Sequence, residues 1–222
     1  MIPGWDYSRA KANGRNVFFF RDTDHTSGAV QELLLGELED KVKDGFFSIV
    51  FTEGCEGIYR PSFLESRSEE ELKDALNNGK NQWTAVELLA YRCREGLQTN
   101  SLSIFGVDSN SLRREAITTY KELVHFTERH SRGERFTDEE VCHWSDLLSK
   151  RGLIHSQRNV FSAGVINNLL VSDPISAGLV YGEKHYEGIV SELIRFGIGC
   201  ISFFPGQVEL NFGRSVGYIK RL

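Results

Sequence analysis

The chain has few cysteines, no apolar run of bilayer length and no surplus of basic charge, and each shortage argues against a class of function. Its four cysteines, Cys55, Cys93, Cys142 and Cys200, stand apart without CxxC spacing. That speaks against a zinc knuckle or a disulfide framework and predicts free thiols in a reducing cytoplasm. No stretch approaches the roughly 20 apolar residues that span a bilayer. Residues 1–16 carry Asp6, Arg9, Lys11 and Arg15 where a secretory signal would be apolar. A formal net charge of -5 and a pI near 5.7 give no general attraction to phosphate backbones or anionic lipid. Nucleic acid and membrane are therefore not expected as partners, whereas a small-molecule or peptide substrate is. Nothing in the sequence sets the oligomeric state.

What the chain does have is enough apolar residue, 40% over 222 positions, to build one domain around a buried core. Apolar runs at 16–20, 46–52, 102–107, 178–181 and 198–204 read as strands, and helical patterns at 28–44, 83–95, 111–130, 137–150 and 156–171 separate most of them. Such alternation predicts an α/β fold with a mostly parallel central sheet of about five strands and flanking helices. Thr137-Asp-Glu-Glu140 has capping-box spacing, and Gly45 and Gly152 are placed just past helix ends. Residues 111–150 exceed what a crossover needs and are expected to form a helical insertion, either a solvated hairpin that only packs or a lid. Residues 61–81 read as a surface connection with one short helix and an Asn77-Asn78-Gly79 turn, and 208–219 as a short terminal hairpin.

A duplication supplies the functional lead. His25-Thr-Ser-Gly28-Ala-Val30-Gln-Glu32-Leu33 recurs as His185-Tyr-Glu-Gly188-Ile-Val190-Ser-Glu192-Leu193, with five identities at fixed spacing, each copy after an apolar run. Each reads as a strand, a turn ending in histidine, a helix and a second strand, so His25 and His185 are expected at equivalent strand ends. Open α/β sheets bind ligands at the carboxyl ends of their strands. There the first strand offers Asp22, Asp24 and His25, the second Glu53 and Glu56, the third Asp108, and the fourth Glu183 and His185. Two histidines with carboxylates from several strands make a plausible ligand set for zinc, manganese or cobalt. A helix amino terminus after each histidine favours the neutral, metal-binding imidazole. Arg158 could face developing negative charge or a rim carboxylate. The other histidines, His125, His130, His143 and His155, read as surface or packing residues, and Cys55 as a small packed side chain, with a reactive thiol as the alternative.

On these residues the chain resembles a family. Gly182-Glu-Lys-His185-Tyr-Glu-Gly188-Ile189 resembles the GxxH-xx-GI motif of TraB/PrgY-type proteins, which group with Tiki metalloproteases, ChaN-like proteins and erythromycin esterases. Glu53-Gly-Cys55 is similar to their strand ending in Glu-Leu-Cys, Gly106-Val-Asp108 to a Gly-x-acidic strand end, and Arg158-Asn159 to an arginine followed by an acidic or amide residue. The resemblance implies hydrolysis of a peptide or ester bond. In that reading His25, His185 and Glu53 hold a divalent metal, Arg158 stabilises an oxyanion, and Asp108 or Glu183 orients a histidine or accepts a proton. The first motif departs from the pattern, since Asp22 stands where Gly182 stands in the second. If that glycine needs a positive φ, the aspartate is strained.

A rival resemblance involves Asp22-Thr-Asp24-His-Thr26, which is similar to the DxDxT motif of haloacid-dehalogenase-type phosphatases. It implies Asp22 as nucleophile, Asp24 as acid and base, and magnesium held by Asp22 and Glu183. A third reading keeps the TraB-like fold as a non-catalytic ligand-binding module.

Overall fold

The computed structural model describes residues 4–12, 14–24, 26–46, 48–59, 68–77, 84–94, 102–170 and 176–205. Seven strands, β1 (Trp5–Arg9), β2 (Asn16–Asp22), β3 (Ile49–Thr52), β4 (Glu56–Ile58), β5 (Ser103–Val107), β6 (Ser176–Gly182) and β7 (Gly199–Phe203), form one sheet in the order β1-β7-β2-β6-β3-β5-β4. The inner five are parallel, and β1 and β4 close the two edges antiparallel. The five expected strands are these inner five. Covered on both faces, they carry unbroken apolar runs such as Val17–Phe20.

Among the described residues six helices complete the α/β fold: α1 (Gly28–Lys43), α2 (Glu69–Asn77), α3 (Thr84–Arg94), α4 (Asn110–Ser131), α5 (Asp138–Leu169) and α6 (Tyr186–Arg195). Alternate side chains of each inner strand feed two separate cores. Phe18, Phe20, Val50 and Val180 pack with Leu34, Leu38 and Leu88 under α1 to α3. Val17, Phe19, Phe51 and Leu179 pack with Ile166, Ile189 and Leu193 under α5 and α6. Among the described residues no helix is long and apolar enough to cross a membrane.

The duplication is visible in the sheet. β2 and β6 lie side by side, and residue 16 pairs with 176 and 22 with 182, in phase with the sequence repeat. The helix after each strand also ends alike: Gly45 (φ 65) and Gly197 (φ 71) terminate α1 and α6. In both, the next amide, Phe46 or Ile198, donates to the carbonyl of Lys41 or Leu193 in a Schellman closure. The two units nonetheless diverge. From β2 the chain crosses over β6 to β3, and from β6 it crosses over β2 to β7. Crossovers of one hand running in opposite directions must use opposite faces, and α1 and α6 do. The gap between β2 and β6 is the topological switch point of the sheet.

The helical insertion is built differently from the expectation. Gly152 does not end a helix, and the patterns at 137–150 and 156–171 are one helix of 32 residues, α5, started by a full capping box at Thr137 and Glu140. Its outer half pairs with α4 around a small core of its own, Leu123, Phe126 and Leu147 with Phe136 and Trp144. Its inner half lies on the sheet. The expected boundary at 150 falls inside this rod, so the arm and the sheet share a helix. The predicted Asn77-Asn78-Gly79 turn beyond Asn77, and the terminal hairpin at 208–219, lie outside the described residues.

Candidate active site

Helical spacing on α5 sets His155, Arg158, Asn159 and Ser162 on one face, at i, i+3, i+4 and i+7, over the carboxyl ends of β3, β5 and β6. Arg158 is the hub. Its Nε donates to Asp108 Oδ1 at 2.9 Å and its Nη2 to Asp108 Oδ2 at 2.8 Å and to Glu53 Oε1 at 2.7 Å. Burial works against the Arg158 cation, but hydrogen bonding to Asp108 and the charges of Tyr181, Glu53 and Asp108 outweigh it and raise its pKa. Asp108 is wholly buried, so the guanidinium is what makes this pair of strand-end carboxylates tolerable.

Glu53 does a second job. Its Oε2 accepts the amide of Gly182 at 2.8 Å, which ties the end of β3 to the end of β6 where the turn Glu183–His185 begins. That turn delivers His185, which is 6% exposed, with Nδ1 donating to Asn159 Oδ1 at 2.6 Å. With Asn159 as acceptor, Nε2 is the basic nitrogen, and it lies 4.0 Å from Glu53 Oε1. The His155 ring stacks on His185 at 3.9 Å between centroids and 17° between planes, and Tyr181 meets it edge-on at 5.0 Å. Tyr181 sits on a hydrogen bond to Ser162 at 3.1 Å; burial, with Glu53 and Asp108 nearby, pushes its hydroxyl well above the usual pKa. Gly188 explains the rest of the second motif. A Cβ there would lie 2.0 Å from Asn159 Nδ2, so the glycine makes the space that lets Asn159 reach the histidine. Gly106 has the same role one strand away, where a Cβ would meet Cys55 at 2.3 Å.

The structure thus brings together Glu53, Asp108, Arg158, Gly182 and His185, and gives Glu183, Asp22, Asp24 and Glu56 other partners. Glu183 pairs with Arg21, and with no histidine among the described residues; the Arg21 Nε donates at 2.6 Å and its guanidinium lies over the rings of Tyr186 and Phe204 at 4.2 and 4.6 Å. Asp22 is buried on the α1 side, where both oxygens accept from Gln31 Nε2 at 3.0 Å. Gly182 has φ -56, so the motif demands no left-handed backbone and Asp22 is not strained in the paired position. Asp24 accepts from the amide and hydroxyl of Thr26, forming the turn into α1. Glu56 accepts the Asn110 amide at 2.9 Å and caps α4. His25 lies outside the described residues. The four cysteines are free thiols; burial pushes Cys55 up to about 11, which removes it as a nucleophile near neutral pH.

Of the three expected metal ligands, His185 and Glu53 are among the described residues and His25 is not. No three histidine, cysteine, aspartate or glutamate side chains among the described residues stand close enough to hold an ion. The Glu53 oxygen that faces His185 already carries the Arg158 cation. The sequence offered Asn159 only through the resemblance of Arg158-Asn159 to a family motif, and His155 only as a surface or packing residue; neither was placed beside His185. The usable signal was their spacing from Arg158 on a helix and the glycine three positions after His185.

No family model, curated protein or solved structure matches the chain.

Proposed function

We propose that the chain is a hydrolase of acyl bonds, ester or peptide, in which His185 acts as general base. The observation that carries this reading is the buried His185–Asn159 hydrogen bond, set at the switch-point end of the sheet beside a fixed guanidinium. Asn159 holds the Nδ1–H tautomer, so Nε2 takes the proton of a water as its oxygen attacks the carbonyl carbon. Arg158 bonds its two carboxylates through Nε and Nη2; Nη1 takes part in none of those bonds and is the donor for the developing oxyanion. Protonated His185 then passes its proton to the leaving oxygen or nitrogen, and the cycle closes. Glu53 is assigned to positioning, through Gly182 and Arg158. The phosphatase reading gains no such support, because Asp22 faces α1 and Glu183 is paired with Arg21.

The test is turnover of 4-nitrophenyl acetate and butyrate and of a fluorogenic peptide panel, in EDTA and with zinc, manganese or cobalt. His185→Gln is expected to lose about 100-fold or more. Equal turnover in that variant ends the reading, and activity that appears only with metal reassigns His185 from base to ligand. Hydrolysis of 4-nitrophenyl phosphate with magnesium, lost in Asp22→Asn, would favour the phosphatase instead.

A further inference from the structure

The protein carries net negative charge, yet the approach to His185 is basic. Arg151, His155 and Arg158 follow one another at i, i+4 and i+7 on α5, a stripe that runs from the arm down to the buried carboxylates. Lys184 joins it from the other side, one residue before His185 in the turn that leaves β6. Arg151 and Lys184 are both exposed, and neither has an ion-pair partner among the described residues. The acids beside them are already committed. Glu183 holds Arg21, Glu187 holds Arg9, and on the facing helix Glu115 holds Lys150 and Glu122 faces His143. The His155 ring lies on that of His185, the residue after Lys184, at 3.9 Å between centroids, which brings the helix stripe and the turn together; burial, and then the charges of Arg158, Arg151 and Lys184, lower the pKa of His155.

The inner end is lined differently: Glu53 and Asp108 present carboxylates there, both bonded to the Arg158 guanidinium. The cations without ion-pair partners among the described residues stand outside, and a ligand's carboxylate is favoured there. We propose that the site takes an anionic acyl substrate, its carboxylate held by Arg151 and Lys184 and its neutral scissile carbonyl turned inward to His185. The spacing suits a short acid: Arg151 stands one helical turn, about 6 Å, beyond His155. The separation of charge then sets the substrate's direction as well as its affinity.

This rests on the hydrolase reading, and the experiment separates the two. The full chain is assayed on three 4-nitrophenyl esters of matched length: hemiglutarate, valerate and 5-aminovalerate. The hemiglutarate is expected to have about tenfold the kcat/KM of the valerate, mostly through KM, with the gap shrinking as salt is raised from about 50 to 500 mM. Arg151→Glu with Lys184→Glu, both on the surface, should transfer the preference to the aminovalerate. If no ester is turned over, glutarate is titrated against the C2–H resonances of His155 and His185. A saturable shift absent from the double variant upholds the anion site while the hydrolase reading fails. Equal kcat/KM on all three esters, or no response to glutarate in an inactive protein, overturns the inference.

Discussion

Replacing Gly188 by alanine should destabilise the protein even though alanine is the better helix former. The backbone there is helical, in the first turn of α6, so nothing about φ opposes the change. The obstacle is Asn159, whose Nδ2, Cγ and Cβ would lie 2.0, 2.9 and 3.4 Å from the new methyl. Because the whole side chain is in the way and Asn159 is buried, it must leave its rotamer and release His185. A buried polar group left without its partner costs about 1–3 kcal/mol. An off-rotamer side chain adds about 0.5–1.5 kcal/mol, and helix propensity returns about 1 kcal/mol. The net loss is about 2 kcal/mol, a fall in Tm of roughly 4–8 °C for a chain of this size. Gly152→Ala is the matched control: it lies in the middle of α5, its Cβ would meet nothing within 4 Å, and it should raise Tm by roughly 2–4 °C. Thermal melts followed by circular dichroism give both signs in one experiment, and ester turnover should fall in Gly188→Ala alone. If Gly188→Ala melts at or above the wild type with turnover intact, Asn159 is not wedged between α6 and His185, and the account of the second motif is wrong.

Arg158→Met leaves Glu53 and Asp108 facing each other without their cation, and should cost about 3–5 kcal/mol in urea unfolding at neutral pH. Adding Asp108→Asn should return part of it; a loss under about 1 kcal/mol in the single variant would show that the triad is not holding the strand ends. His155 gives a pH effect of known sign. Its folded pKa lies below the ordinary histidine value, first through burial and then through the nearby cations, so the unfolded chain takes up the proton first as the pH falls. Its contribution to stability is complete above the ordinary histidine range and declines on acidification through that range toward the depressed folded value. His155→Phe keeps a ring against His185 and removes that proton, so the fall in Tm between about pH 7.5 and 5.5 should be shallower than in the wild type. An unchanged slope would count against the assignment.

Much of the sheet was legible because its inner strands are buried on both faces, and nothing but apolar runs survives there. The edges were not. Trp5–Arg9 and Glu56–Ile58 are short, polar and antiparallel, and they form only because β7 and β5 offer open edges. Repetition in the sequence put His25 and His185 at equivalent strand ends, and β2 and β6 pair in phase with it, but a linear repeat carries no information on which strands are neighbours or which face the following helix takes. The reversal of crossover direction decides that, and it depends on strand order. Carboxylates were legible as a set at the strand ends; their division of labour was not. Glu53, Asp108 and Arg158 meet because β3 and β5 are neighbours under α5, whereas Glu183 found Arg21 because residues 21 and 181 are adjacent across β2 and β6. Asn159 was harder to read, since a buried amide in mid-helix looks like any polar interruption until its spacing from Arg158 is set beside the glycine after His185.

The unbroken course of α5 has a consequence for how this molecule tolerates changes in length. Its inner half is clamped to the sheet, so each residue inserted or removed before Arg151 turns everything outward of it by about 100°. A single-residue indel would swing Trp144 off Phe126 and unpick the aromatic knot at the tip, while seven residues taken from each helix of the arm would leave the rotation nearly unchanged and only shorten the reach. Viable variants of the arm should therefore differ by whole pairs of turns.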